Sequence, residues 1–326
     1  NLNIWAPASG GDGGGDDGGA PVGLFFHGGA FKEGSNRGPF DLYDGANLAA
    51  AQGVVVVAAN YRLGALGFLT NDRANVTGNF GVQDQREAMR WVRQHIASFG
   101  GDPNRVTIWG ESAGAQSVLV HLFSPLSRGL FSRAIMESNP AGFVYRNVKQ
   151  ASAFGEGLVK DLGCSRPTAE NSPLKRDNNN RADGTTLACL RAANLSDVLA
   201  ASRKAAGSAV DIVEAVLAGA KLLDVFLQWV PTSATPDLPV SPLLDLSRIV
   251  NRVPTIIGTN ENEGITFIDA SVAKPLSALK YGLLVDAIFG VGTSAARDIK
   301  RAYPWDLLNA TDARPTSACA RRQCAP

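Results

Sequence analysis

The chain has 326 residues, 45% of them hydrophobic and 19% charged, which suits one large α/β domain or two ordinary ones and excludes a disordered chain. A net charge of +1 offers no electrostatic footing for nucleic acid or an anionic membrane. No apolar run approaches the roughly 18 residues that a membrane-spanning helix needs.

Read in chain order, residues 2–5 form a first strand, and a Gly/Asp-rich tract over 8–19 follows. That tract cannot pack a core and is expected to be a surface loop; no Lys-Ser/Thr and no helix follows it, so its glycines do not indicate a phosphate site. Residues 21–26 form the next strand and run into His27-Gly28-Gly29-Ala30-Phe31. The run Val54-Val55-Val56-Val57-Ala58-Ala59 reads as a buried parallel strand. Residues 83–99 carry helical periodicity through Ala88, Trp91, Val92, His95, Ile96 and Phe99, and Gly100-Gly101-Asp102-Pro103 stops that helix.

The apolar run Arg105-Val106-Thr107-Ile108-Trp109 then leads into Gly110-Glu111-Ser112-Ala113-Gly114, and a helix is expected over 113–123. A Gly-x-Ser-x-Gly pentapeptide between strand and helix is the signature of a nucleophile elbow, which lifts the serine hydroxyl clear of the sheet. Side chains at Gly110 and Gly114 would collide with the neighbouring strand and helix in so tight a turn. Further strands are predicted over 131–137 and 253–258, with helical stretches over 151–230 broken by a polar segment at 170–186. Strands alternating with helices indicate a mostly parallel sheet covered on both faces, and no linker splits the chain into two cores. One domain over 1–326 is the expectation.

A serine nucleophile needs donors for the developing oxyanion. Small residues after a strand let backbone N–H groups approach a substrate oxygen, which points to the amides of Gly29 and Ala30, with Gly28 shaping the loop and Ala113 as a third donor. Cys164 and Cys189 bracket a polar segment, and taken by themselves they are read equally well as a disulfide or as two free thiols. Three sequons, at Asn75, Asn194 and Asn309, tilt the chain toward a secretory route. The sequence opens on Asn1-Leu2-Asn3-Ile4-Trp5, with no signal-peptide pattern, and is read as starting mid-strand.

His27-Gly-Gly-Ala-Phe31, Asn60-Tyr-Arg-Leu-Gly64, Gly78-Asn-Phe-Gly-Val-Gln-Asp-Gln85, Phe99-Gly-Gly-Asp-Pro103, Val106 to Ala115 and Gly258-Thr-Asn-Glu-Asn-Glu-Gly264 occur in that order. The set closely resembles the type-B carboxylesterase family, which includes cholinesterases and some fungal lipases. The likeness covers about residues 1–270, and loop spacing brings it nearest to the fungal members. The resemblance implies an α/β-hydrolase fold, with a sheet incomplete at its edges in this chain, and a Ser–His–Glu triad. Ser112 takes the nucleophile's place and Glu263 the acid's, with Glu261 read as solvated. It also implies that Glu111 lines the site, that Arg62 and Asp84 form a buried ion pair beneath it, and that Cys164 and Cys189 are bridged around a variable loop over 164–189.

The base is the difficulty, because the chain holds only His27, His95 and His121. His27 belongs to the oxyanion loop. His121 lies nine residues along a helix from Ser112, a displacement of roughly 13 Å. His95 sits on the apolar face of its helix and reads as packed or half-exposed. The family places its histidine downstream of the glutamate, so the chain reads as a member truncated at both ends, with an atypical tail over 310–326 and Cys319 and Cys324 separated from their partners. The expected function is hydrolysis of a small-molecule carboxylic ester, without cofactor or metal. The alternative is a catalytically inactive fragment or a non-catalytic binding relative. Oligomeric state and ester identity are not legible.

Overall fold

A computed structural model describes residues 1–8, 19–140, 144–165, 184–205, 227–261, 263 and 277–305. The Gly/Asp tract at 9–18, most of the 164–189 loop, Asn309, the 310–326 tail, Cys319 and Cys324 lie outside the described residues.

Strands β1 (Leu2–Trp5), β2 (Ala20–Phe26), β3 (Val55–Ala59), β6 (Gly101–Glu111), β7 (Arg133–Glu137) and β8 (Thr255–Gly258) form one sheet in the order β1-β3-β2-β6-β7-β8. Only β1 runs antiparallel to its neighbour; every other pairing is parallel. The apolar run of β3 is buried at all five residues, as a strand covered on both faces requires. A two-stranded hairpin, β4 (Thr70–Asn71) with β5 (Val76–Thr77), stands apart.

Helices α1 (Ala46–Gln52), α2 (Gly64–Phe68), α3 (Phe80–His95) and α4 (Ala113–Phe123) lie between successive strands, and α5 (Val148–Asp161), α6 (Gly184–Ala192) and α7 (Leu195–Ala205) all fall between β7 and β8. This is a mostly parallel α/β-hydrolase architecture. A buried core lies where α4 packs on β6, β7 and β2, with Leu24, Phe26, Ile108 and Val118 excluded from solvent. No helix among the described residues is long and apolar enough to cross a membrane.

Several boundaries differ from the sequence reading. Helix α3 begins at Phe80 because Asn79, in a left-handed conformation, is held from 153 residues away: its Nδ2 donates to the Thr232 carbonyl (2.8 Å) and its Oδ1 accepts the Thr232 amide (2.7 Å). The helix itself ends at His95, and Ile96–Phe99 form a 3₁₀ turn closed by Gly100 at φ 79°. Strand β6 then starts at once, because Gly101 pairs with Ala20, after which the register jumps so that Val22 faces Val106. At the far end of the sheet, all four residues of β8 are exposed, Ile256 and Ile257 each by 66%.

The chain divides into two compact units, residues 1–205 with 229–259 and residues 206–228 with 260–326. Within the second unit, α8 (Ala278–Phe289) and α9 (Ser294–Ala302) are capped by Ser277 and Thr293 and joined by a Lys300–Asp286 ion pair at 2.7 Å.

Candidate active site

Ser112 sits between β6 and α4 with φ 55° and ψ −118°, a conformation that L-residues adopt only under constraint. The constraint is visible on both sides. Its amide donates to the Glu137 carbonyl at the end of β7 (3.0 Å), and its carbonyl accepts the Gln116 amide in the first turn of α4 (2.9 Å).

Gly110 and Gly114 permit this turn by being bare. A Cβ on Gly114 would stand 1.9 Å from the Phe26 carbonyl oxygen, and one on Gly110 would stand 2.5 Å from the backbone of Gly114. The elbow is therefore pressed against the end of β2, where the glycine-rich loop begins. That loop folds back over the serine: a Cβ on Gly28 would meet the Glu111 carboxylate at 2.6 Å and the Ser112 Cβ at 3.2 Å. Gly29 (φ 110°), Ala30 (φ 53°) and Phe31 (φ 60°) all lie at positive φ, so the loop turns sharply. Phe31, fully buried edge-on against Phe68 with ring centroids 5.0 Å apart, anchors its far side. Ala113 opens α4, where the first amides have no intrahelical acceptor. Sequence and structure thus bring Gly28, Gly29, Ala30, Glu111, Ser112 and Ala113 together at one edge of the sheet.

Glu111 is half-buried beside the elbow. Burial first, and the Glu111 charge second, hold the Tyr43 phenol above its ordinary pKa. Glu263 lies in the second unit; it is exposed, and its carboxylate accepts the Asn260 amide at 2.7 Å. Glu261 is exposed. Strand β8, which precedes both, ends with Gly258 paired to Glu137, which in turn pairs with Glu111, so the chain leaves the sheet at the edge where Ser112 stands.

The Arg62–Asp84 pair forms, with Nε and Nη2 each 2.7 Å from a carboxylate oxygen, but it is not buried. The Arg62 side chain is half exposed, lying across the Phe80 ring at the start of α3 rather than under the sheet. The buried pair is one that sequence reading missed: Arg86 and Asp237, at 2.5 Å with side chains 9% and 7% exposed. Arg86 shares the apolar face of α3 with Val82, Met89 and Val92. A charged residue on such a face is the one signal that could have pointed to it.

The histidines are all placed. His27 is buried; its Nδ1–H donates to the Gly28 carbonyl (2.8 Å), and desolvation lowers its pKa. His121 is buried in α4, with its pKa pushed down to about 3 by burial and then by the Arg86 charge. His95 is exposed rather than packed, and its ring lies tilted against Trp91, centroids 5.1 Å apart, at the far end of α3. It precedes the start of β6, whereas Ser112 follows that strand's end, a separation of roughly 30 Å at about 3.3 Å per residue.

Cys164 and Cys189 are joined by a disulfide across 25 residues of sequence, which removes about 3.5 kcal/mol of unfolded-chain freedom in the loop-entropy description. Asn75 and Asn194 are exposed, Asn75 at a left-handed position in the β4–β5 hairpin. A cavity of 840 Å³ lined by Leu2, Ile4, Tyr61, Arg62 and Trp91 lies beside β1 and α3, and no residue of the elbow or the glycine loop lines it.

Residues 1–309 match the carboxylesterase family. The chain belongs to that family. Cholinesterase 1 of Branchiostoma lanceolatum is 42% identical over 200 residues, 61% of this chain and 50% of that protein. The crystal protein of Dictyostelium discoideum is 36% identical over 272 residues, 83% of this chain and 44% of that protein. Among solved structures, a PNB esterase superposes with TM-score 0.70 at 29% identity, covering 93% of this chain and 56% of that one. The chain thus spans about half the length, or less, of the relatives it matches.

Proposed function

We propose that this protein hydrolyses small-molecule carboxylic esters through an acyl-enzyme on Ser112. The Ser112 oxygen attacks the ester carbonyl, and the amides of Gly29, Ala30 and Ala113 receive the oxyanion. The alcohol leaves, and water then releases the acid. The observation that carries this reading is the close stacking of Gly28 on Ser112 and Glu111, which sets the donor loop directly over a strained serine. Glu263 serves as the acid of the triad, supported by the exit of β8 at the edge of the sheet that bears Ser112.

The serine proton needs a base, and among the described residues no hydrogen bond joins the Ser112 side chain to His27, His95 or His121. The chain spans about half the length, or less, of the relatives it matches, and the base is not assigned to a residue here. The same observation favours the second reading, a non-catalytic relative. Short-chain esters are the expected substrates and triacylglycerols the nearest rivals. A secretory route is supported by the Cys164–Cys189 bridge and the exposed sequons at Asn75 and Asn194.

Hydrolysis of p-nitrophenyl acetate separates the two readings. The esterase reading expects turnover above the solution background, falling to that background in Ser112→Ala. Equal rates for the two proteins would support the non-catalytic reading.

A further inference from the structure

Beneath the elbow runs a line of buried polar side chains that ester hydrolysis itself does not require. The Tyr61 hydroxyl donates to the His27 carbonyl at 2.6 Å, and the Tyr61 ring stacks on the His27 imidazole with centroids 4.5 Å apart. Ser117 stands one turn into α4, on the helix that follows the elbow. Ser117 Oγ donates to the Ala113 carbonyl (3.0 Å) and accepts from Gln85 Nε2 (2.8 Å). Gln85 Oε1 then accepts from His121 Nε2 (3.1 Å), which leaves His121 Nδ1 to accept from the Ser127 hydroxyl (2.9 Å). Gln85, Ser117, His121 and Ser127 are fully excluded from solvent, and Tyr61 is 6% exposed.

Two features give this line a direction. It begins at the first residue of the glycine loop and passes through the first residue of α4, the two places that carry the oxyanion donors. It also lies one residue along from a second clamp between the same segments: Tyr61 precedes Arg62, and Gln85 follows Asp84. The segment after β3 is therefore fastened to α3 by the Arg62–Asp84 pair, and α3 in turn to α4 by the Gln85–Ser117 hydrogen bond in the interior.

We propose that Tyr61 and Ser117 are positioning residues that set the spacing between the two halves of the oxyanion hole, the loop at Gly29–Ala30 and the amide of Ala113. Neither touches substrate; each fixes a backbone carbonyl adjacent to a donor. Buried hydrogen bonds of this kind are costly to leave unmade, so the spacing is held tightly. This rests on the reading of Ser112 as nucleophile for its catalytic meaning, but not for its geometry.

The test uses the full chain and has two arms. In the first, amide resonances of Gly29 and Ala30 are followed by heteronuclear NMR. Ser117→Ala is expected to shift them across the gap, and the shift is expected to vanish when Ser117→Ala is made in a Tyr61→Phe background. Loop resonances indifferent to Ser117→Ala, or shifted equally in both backgrounds, would overturn the proposal. In the second arm, Tyr61→Phe is expected to slow phosphonylation of Ser112 about tenfold with the reagent's saturation constant unchanged, against the 10²–10³ loss from deleting a donor outright. An unaltered rate in Tyr61→Phe would count against it. NMR coupling in a protein whose Ser112 never reacts would uphold the positioning and sink the nucleophile instead.

Discussion

Gly114→Ala is expected to destabilise the fold by about 3 kcal/mol or more, at or beyond the upper end of what overpacking costs. Its Cβ would stand 1.9 Å from the Phe26 carbonyl oxygen, 2.8 Å from that carbonyl carbon and 3.0 Å from the His27 carbonyl oxygen. All three are backbone atoms at the end of β2, and Phe26 is fully buried and paired in the sheet, so no side chain can swing aside. Relief requires α4 to lift from β2, which would also part Ser112 from the loop over it. Gly157 in α5 is the matched control, since nothing lies within 4 Å of its absent Cβ. Gly157→Ala should gain up to about 1 kcal/mol from helix propensity alone. Urea unfolding midpoints of the two variants decide the matter. A Gly114→Ala protein as stable as the wild type would show that the elbow is not packed as described.

Asp237→Ala is expected to cost about 3–5 kcal/mol, the penalty for stranding a buried charge. Arg86 Nη1 has Asp237 as its carboxylate at 2.5 Å, and the same carboxylate accepts from Gln83 Nε2 at 3.0 Å. With both side chains below a tenth exposed, solvent cannot replace the lost partner. Asp84→Ala should cost about 1 kcal/mol, because the half-exposed Arg62 guanidinium regains water. Replacing both members of the buried pair, Arg86→Met with Asp237→Leu, should recover most of the loss, since no charge is then left behind. Chemical denaturation of the four proteins checks this. An Asp237→Ala cost no greater than that of Asp84→Ala would contradict the burial assigned here.

What the sequence made legible follows from how local each signal was. Strands β3 and β6 and the elbow declare themselves through β-branched runs bounded by glycine, and their neighbours in sequence suffice to place them. The close approach of Gly28 to Ser112 was foreseeable because both motifs sit at strand ends, and parallel strands bring such ends to one edge. Features set by distant segments were not legible. Helix α3 begins at Phe80 because Thr232 holds Asn79, and Arg86 is neutralised by a residue 151 positions away. The sequence pointed to Arg62–Asp84 as the buried pair; the two do meet, but burial depends on what covers them, which no spacing reports. His95 shows the same limit: helical periodicity put it on the apolar face, yet it lies at the end of α3, where that face runs out into solvent. The line from Tyr61 through Ser117 to His121 was hidden for a related reason, since its members come from three segments and each alone is an ordinary polar residue.

The standing of Ser112 as a nucleophile is tested most directly by exposing the folded chain to a fluorophosphonate and mapping the adduct by peptide mass spectrometry. A strained serine beneath a donor loop should take the phosphonyl group at Ser112 and at no other serine, and Ser112→Ala should take none. A folded protein that stays unmodified, or that is modified elsewhere while Ser112 remains free, would contradict the account.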